Sequence, residues 1–171
     1  MSNEFATHTI RPVRIRDCLQ ASDIAAIAGI VSATGFFSAA EQRIAVEIAE
    51  EHLAKGAEST YRFLFAEAEQ KIAGYSCYGH IDGTQSSFDL YWIAVAPEHQ
   101  GNGIGHSLIA HTESRIRDLS GNGIYVETAS RELYRPTHAF YESCGYQLAA
   151  RLPAFYAPDD DKLIFFKALP V

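Results

Sequence analysis

The sequence predicts an α/β (α+β) fold in one domain spanning residues 1–171, a central mixed, mostly antiparallel β-sheet with helices on both faces around a βαβ core. Three observations predict it. Apolar residues follow a helical period in some segments and a two-residue period in others, in the order β-α-α-β-β-β-α-β-α-β-β. A helical stretch near 104–119 lies between two strand-like runs, and such a crossover joins parallel neighbours. A chain of 171 residues, 47% apolar and 20% charged, is long and apolar enough for one substantial core.

Each element has a local reason. Residues 8–17, HTIRPVRIRD, alternate around Pro12 as an edge strand that leads into a helix capped near Asp17, predicted over 18–30. A second helix begins at Ser38, with Glu41 three residues on completing a capping box, and ends at Gly56. Ile44, Ile48 and Leu53 form its apolar side with Ala45 and Ala49. From Tyr61 the period becomes two, giving strands near 61–68, 71–81 and 86–96 with turns at Glu69-Gln70 and Asp82-Gly83, an antiparallel meander. The helix near 104–119 points Leu108, Ile109, Ile116 and Leu119 inward. The strand GIYVETA follows, then a short helix from about Pro136 to Gly145, and 146–152 and 162–168 close the sheet as an antiparallel pair.

Composition excludes several functions. No apolar stretch approaches the ~20 residues that span a bilayer, and Ile24 to Val31, broken by Gly29, is the longest. The opening MSNEFATHTIRP lacks the basic start and apolar core of a secretory signal. Cys18, Cys77 and Cys144 are odd in number and widely spaced, which suggests reduced thiols in a cytoplasmic protein. The seven histidines show no metal-ligand spacing, so no metal is expected, and His138 is read as a surface or satisfied residue. A net charge of −7 argues against nonspecific nucleic-acid binding, which draws on phosphate neutralisation.

Gln100-Gly101-Asn102-Gly103-Ile104-Gly105 stands between a strand ending at Val95-Ala96-Pro97 and the helix that carries Leu108. Free N–H groups at a helix start make an anion site, so a phosphate-bearing ligand is the natural occupant. The turn is not a Walker A loop, because Gly105 is followed by His106-Ser107, nor a dinucleotide fingerprint, because the glycines are not spaced G-x-G-x-x-G.

Taken with its surroundings, the turn carries a resemblance. Asp89 to Pro97 followed by Gln100-x-x-Gly103-x-Gly105 resembles motif A of the GNAT N-acetyltransferases, and Ala139-Phe140-Tyr141-Glu142-Ser143-Cys144-Gly145-Tyr146 resembles motif B of the same family. The element order matches that family's fold along nearly the whole chain. The resemblance implies transfer of the acetyl group of acetyl-CoA to an amine by direct transfer in a ternary complex. It implies that the amides of Gly101, Asn102, Gly103, Ile104, Gly105 and His106 cradle the pyrophosphate, while Ile93 and Val95 pair with the pantetheine arm and the Val95 N–H polarises the thioester carbonyl. Tyr141 matches the tyrosine that returns a proton to the CoA thiolate.

For the proton of the amine there are two carboxylates. Glu127 is the one charge in GIYVETA and sits in strand register with the glutamate base of the family's ribosomal-protein alanine acetyltransferases; buried or half-buried, it would hold a raised pKa. Asp89 is its rival, sharing a strand face with Tyr91, Ile93 and Val95 by a period of two, and it is alternatively an anchor for a cationic acceptor. Water alone is the third route. Where many relatives carry Asn-x-x-Ala before the motif B helix, this chain has Tyr134-Arg135-Pro136-Thr137, so Ser130 or Thr128 is the candidate to replace that Asn.

Tyr91, Phe155 and Tyr156 are candidate acceptor-lining residues, and the oligomeric state stays open between monomer and homodimer. A second function class also remains open, a noncatalytic acyl-CoA-binding sensor that needs Gly103 and Gly105 but neither Tyr141 nor Glu127. Residues 1–100 hold 13 acids against 7 bases and residues 101–171 hold 8 against 7. The acidic half is expected to meet the acceptor, which favours a cationic amine.

Overall fold

The computed structural model describes residues 13–170. Its seven strands form one sheet in the order β1-β2-β3-β4-β5-β7-β6: β1 (Arg14–Arg16), β2 (Tyr61–Ala68), β3 (Lys71–His80), β4 (Ser87–Val95), β5 (Gly123–Ala129), β6 (Gln147–Ala157) and β7 (Asp160–Ala168). Only β4 and β5 pair in parallel, as the crossover predicts. The rest of the predicted 8–17 strand, residues 8–12, lies outside the described residues, as does the opening segment read for a signal.

Two helices cover each face. Phe63 and Phe65 of β2 point towards α1 (Asp23–Thr34) and α2 (Ala39–Lys55), where they join Ile27, Val31, Ala45, Ala49, Tyr75 and Cys77. Leu64 and Ala66, one residue out of phase, face α3 (Ile104–Asp118) and α4 (Arg135–Ser143) with Leu108, Ile116, Ile124, Val126 and Phe165. The period of two thus divides the chain between two cores.

Three helix details differ from expectation. α1 starts at Asp23, because the Asp23 carboxylate accepts from the Gln20 N–H and from the Arg16 guanidinium at 2.9 and 3.0 Å, which holds 17–22 in another path. It runs on past Gly29 to a left-handed Gly35. In α2 the Ser38–Glu41 capping box forms as predicted, but the buried stripe is Ala45 and Ala49, with Ile48 packed against it; Ile44 and Leu53 are exposed. Small residues there let α2 lie close to the sheet. Leu119 is the C-cap of α3 and is also exposed. The closing hairpin is longer than predicted, turning at Pro158-Asp159.

Two irregularities in β4 and β5 shape everything that follows. The β3–β4 register slips between Cys77↔Trp92 and Tyr78↔Leu90, leaving Tyr91 as an extra, bulged residue. β4 and β5 pair only at Ser87↔Gly123, Phe88↔Ile124 and Asp89↔Tyr125, and then part. Beyond Asp89 the sheet opens into a wedge.

Candidate active site

A cleft of about 1320 Å³ occupies the wedge, walled by the second half of β4, the 99–106 turn, β5, α4, the 34–44 segment and the β6–β7 tip. Its backbone wall comes from β4. The Ala96 N–H donates to the Ala73 carbonyl at 2.8 Å, so by alternation Ala94 and Trp92 also turn their amides to β3. Ile93 and Val95 turn theirs the other way, into the gap that β5 has left. The Val95 carbonyl there accepts from the Gln100 side-chain amide at 3.0 Å. This stretch is an unpaired strand edge inside a sheet, open to an extended ligand.

At the mouth, Gly101 and Gly103 have φ of +76° and +79°, and a Cβ built on either meets nothing within 4 Å. Gly103 is the left-handed N-cap of α3, so the first amides of that helix face open space. Gly101, Gly103, Ile104, Gly105 and His106 all line the cleft with Ile93 and Val95. Asn102 does not, and its side chain donates back to the His99 carbonyl at 3.4 Å. His106 shares a 3.1 Å hydrogen bond with Ser143 and meets the Phe140 ring edge-on, tying the start of α3 to α4.

Tyr141 lines the cleft from α4 yet is only 5% exposed, packed on Tyr146 and Phe165. Burial pushes its phenol above the usual range, which keeps it protonated at neutral pH. No hydrogen bond to its hydroxyl occurs among the described residues. α4 is anchored by Lys167, whose ammonium donates to both Glu113 oxygens at 2.7 and 2.9 Å and to the Cys144 carbonyl at 2.7 Å.

The acidic residues lie on the opposite face. Because of the bulge, Asp89 does not share a face with Ile93 and Val95 as a strict period of two requires. Asp89 pairs with Gly79 on the face of Cys77 and Trp92, towards α1 and α2. Tyr91 lies over Gly79 on that same face, where a Cβ on Gly79 would stand 3.0 Å from its ring and 2.5 Å from the Thr60 carbonyl oxygen. Tyr91 lines the cleft, and burial with the Asp89 charge pushes its phenol up to about 12. Asp89 is half-buried at the last paired step, behind the lining; burial, then the Glu127 charge, raise its carboxyl to about 6.

Glu127 does not meet the condition of burial attached to it in the sequence. Its side chain is 51% exposed in the cleft wall and accepts from Lys162 at 2.7 Å. It faces α1 and α2, since Ile124 and Val126 take the α3 face. The environment expected for Glu127 therefore belongs to Asp89.

The candidates to replace the missing Asn divide. The Ser130 hydroxyl accepts from the Asp161 N–H at 2.8 Å and lies 3.5 Å from Asp160, so it is already engaged. Thr128 lines the cleft on the Tyr141 face. Tyr134, which stands in place of the Asn, crosses the cleft instead, and its hydroxyl donates to the Phe36 carbonyl at 3.2 Å. Tyr156 lines the cleft, whereas Phe155 lies against the Lys162 ammonium. His138 is satisfied, donating to the Ala129 carbonyl at 2.9 Å.

The sequence reading missed Phe36, Phe37, Trp92, Arg131, Asp159 and Asp160 on the cleft wall and Lys162 beside it. Trp92 lay within the recognised motif, but its face depends on the bulge. The carboxylates on the wall, Glu41, Glu127, Asp159 and Asp160, come from both halves of the chain. The division of charge at residue 100 is therefore not a division by role. Among the described residues no group of three or more His, Cys, Asp or Glu is placed to hold a metal, and no helix is long and apolar enough to cross a membrane.

The site is thus set in a mixed sheet splayed between two parallel strands, with a glycine-turned helix start at its mouth. Residues 59–148 match the family described as Acetyltransferase (GNAT) domain. A crystal structure from Desulfovibrio desulfuricans, assigned to the GNAT acetyltransferases, is similar at 39% identity and a TM-score of 0.90, over 92% of this chain and 99% of that one. The ribosomal-protein-S18-alanine N-acetyltransferase from Escherichia coli is similar in fold, with 18% identity, a TM-score of 0.72 and 94% and 96% of the two chains covered. So is the structure of a Salmonella typhimurium protein with its cofactor acetyl-CoA, with 20% identity, a TM-score of 0.72 and coverage of 94% and 95%. No curated protein matches the chain. The chain belongs to the GNAT acetyltransferase family.

Proposed function

We propose that the protein is an acetyl-CoA-dependent N-acetyltransferase that passes the acetyl group directly to a primary amine in a ternary complex. The observation that carries this reading is the wedge between β4 and β5, which joins an open strand edge and Tyr141 on one face to Glu127 on the other, with Asp89 at the last paired step behind it. A donor and an acceptor can meet through that gap from opposite sides of the sheet.

The residues fit the donor. Phosphate oxygens suit the amides that open α3, and a half-extended pantetheine arm suits the free edge at Ile93 and Val95. The Val95 N–H then donates to the thioester carbonyl as its oxygen gains charge. The amine nitrogen forms a bond to the carbonyl carbon and the C–S bond breaks. Tyr141 gives its proton to the departing thiolate, and the amine's proton goes to Glu127, or through water to Asp89. The cleft wall carries Glu41, Glu127, Asp159 and Asp160 against Arg131, which favours a cationic acceptor.

The test incubates the protein with acetyl-CoA and a panel of polyamines, amino acids, aminoglycosides and peptide N-termini, and detects free CoA. Release of CoA with acetylated amine is expected, and Tyr141→Phe should lower kcat by roughly 10²-fold or more. CoA binding with no transfer to any amine would instead identify a sensor domain, and an unchanged kcat in Tyr141→Phe would remove the acid role.

A further inference from the structure

Lys162 was invisible to spacing arguments because its partners come from three other strands. It sits on β7 opposite Ala129, one diagonal step from Glu127, which itself pairs with Ile164. Its ammonium is 2.7 Å from Glu127 Oε2 and 3.8 Å from the centre of the Phe155 ring, and 5.8 Å from that of Tyr156. The side chain is only 13% exposed although it carries a full charge. A cation so placed requires the carboxylate and the ring face to offset its lost hydration.

Its charge also acts on a second carboxylate. Asp89, at the last β4–β5 pair, feels the Glu127 charge as repulsion and the Lys162 charge as attraction. The Asp89 charge acts on Tyr91 of β4, and the charges of Glu127, of Glu41 on α2 and of Asp160 on β7 act on Tyr156 of β6. Lys162 thus joins Glu127 on the cleft wall to the Phe155-Tyr156 pair, with Asp89 behind that wall.

We propose that Lys162 is a positioning residue for acetyl transfer: its ammonium holds Glu127 and the Phe155-Tyr156 rim in place and supplies the positive charge beside the carboxylates that take the amine's proton. The proposal rests on the N-acetyltransferase reading. Removing the ammonium takes from Asp89 the attractive charge and leaves the Glu127 repulsion, so Asp89 holds its proton more tightly. The acid limb of the rate profile then moves to higher pH. Loss of the cation beneath Phe155 also loosens the rim on the acceptor side, while the donor contacts, on the other face, stay as they are.

The experiment measures kcat/KM from pH 5.5 to 9 for the full chain and for Lys162→Met, Lys162→Gln and Lys162→Arg, using an amine the wild-type protein acetylates. The expected result is an acid limb shifted up by roughly one pH unit in Met and Gln, as loss of a nearby opposite charge implies. A several-fold rise in acceptor KM with acetyl-CoA KM within twofold should accompany it, and Arg should restore both. CoA binding by calorimetry identifies the variants that are folded, and Lys162→Gln replaces Lys162→Met if the latter is not. An unmoved acid limb in a folded variant that still transfers acetyl overturns this proposal alone. Failure of the wild-type protein to acetylate any amine overturns the parent reading, and this proposal with it.

Discussion

Replacing Glu113 with leucine removes the carboxylate that anchors the helix bearing Tyr141. In the native protein the Glu113 side chain is 7% exposed and takes two of the Lys167 N–H bonds, the third going to the Cys144 carbonyl at the end of α4. Breaking a buried ion pair by deleting one partner costs about 3–5 kcal/mol, because the other charge is left without its partner. The Lys167 side chain is 24% exposed and keeps the Cys144 carbonyl, so the low end applies, about 3 kcal/mol. For a domain of this size that is a fall in Tm of roughly 6–12 °C. The Glu113→Leu/Lys167→Met double variant removes both charges and should recover most of the loss, with a coupling on the order of 2 kcal/mol. Urea unfolding at pH 7 of the four proteins of the cycle measures this directly. A single variant within about 1 kcal/mol of wild type, or a double variant that loses the sum of the singles, would refute the reasoning.

Further outcomes follow from the same geometry. Gly103→Val forces a β-branched residue to the φ of +79° at the α3 N-cap; it should cost about 1–2 kcal/mol and raise the Kd for CoA at least tenfold, measured by calorimetry. Gly79→Ala brings a Cβ to 2.5 Å from the Thr60 carbonyl oxygen and 3.0 Å from the Tyr91 ring, so it should lower Tm and raise acceptor KM more than donor KM. Asp89→Asn tests the raised carboxyl. Its folded pKa, about 6, exceeds the ordinary 3.8, so Asp89 favours the folded state most when protonated, and that advantage is lost as pH rises through 6. The Asn variant should therefore gain Tm relative to wild type at pH 8 compared with pH 4, and equal differences at the two pH values would contradict the assignment.

Much of the site was legible because it is local. The Ser38–Glu41 cap, the Gly101–Gly105 turn and the Tyr141 helix each depend on residues within one or two turns of one another, and each formed where the sequence placed it. The carboxylates were less legible. Asp89 was put on the wrong face because one inserted residue, Tyr91, inverts the alternation of β4, and a bulge leaves no mark in a pattern of apolar and polar residues. Burial of Glu127 was left open by its place in a central strand; β4 leaves β5 two residues before Glu127 is reached, and solvent enters.

The sequence by itself determined the elements, their order, the parallel crossover and the family, since these depend on periodicity, caps and turns encoded between near neighbours. Only the tertiary structure decided which acid meets which base. Lys162 reaches Glu127 across 35 residues, and Tyr134 reaches the Phe36 carbonyl across 98. Such pairs are set by the splay of two strands and the packing of distant segments, and no local period of the chain records them. The glycine turn was therefore written in the sequence, whereas the surroundings of Asp89 and Glu127 belong to the fold.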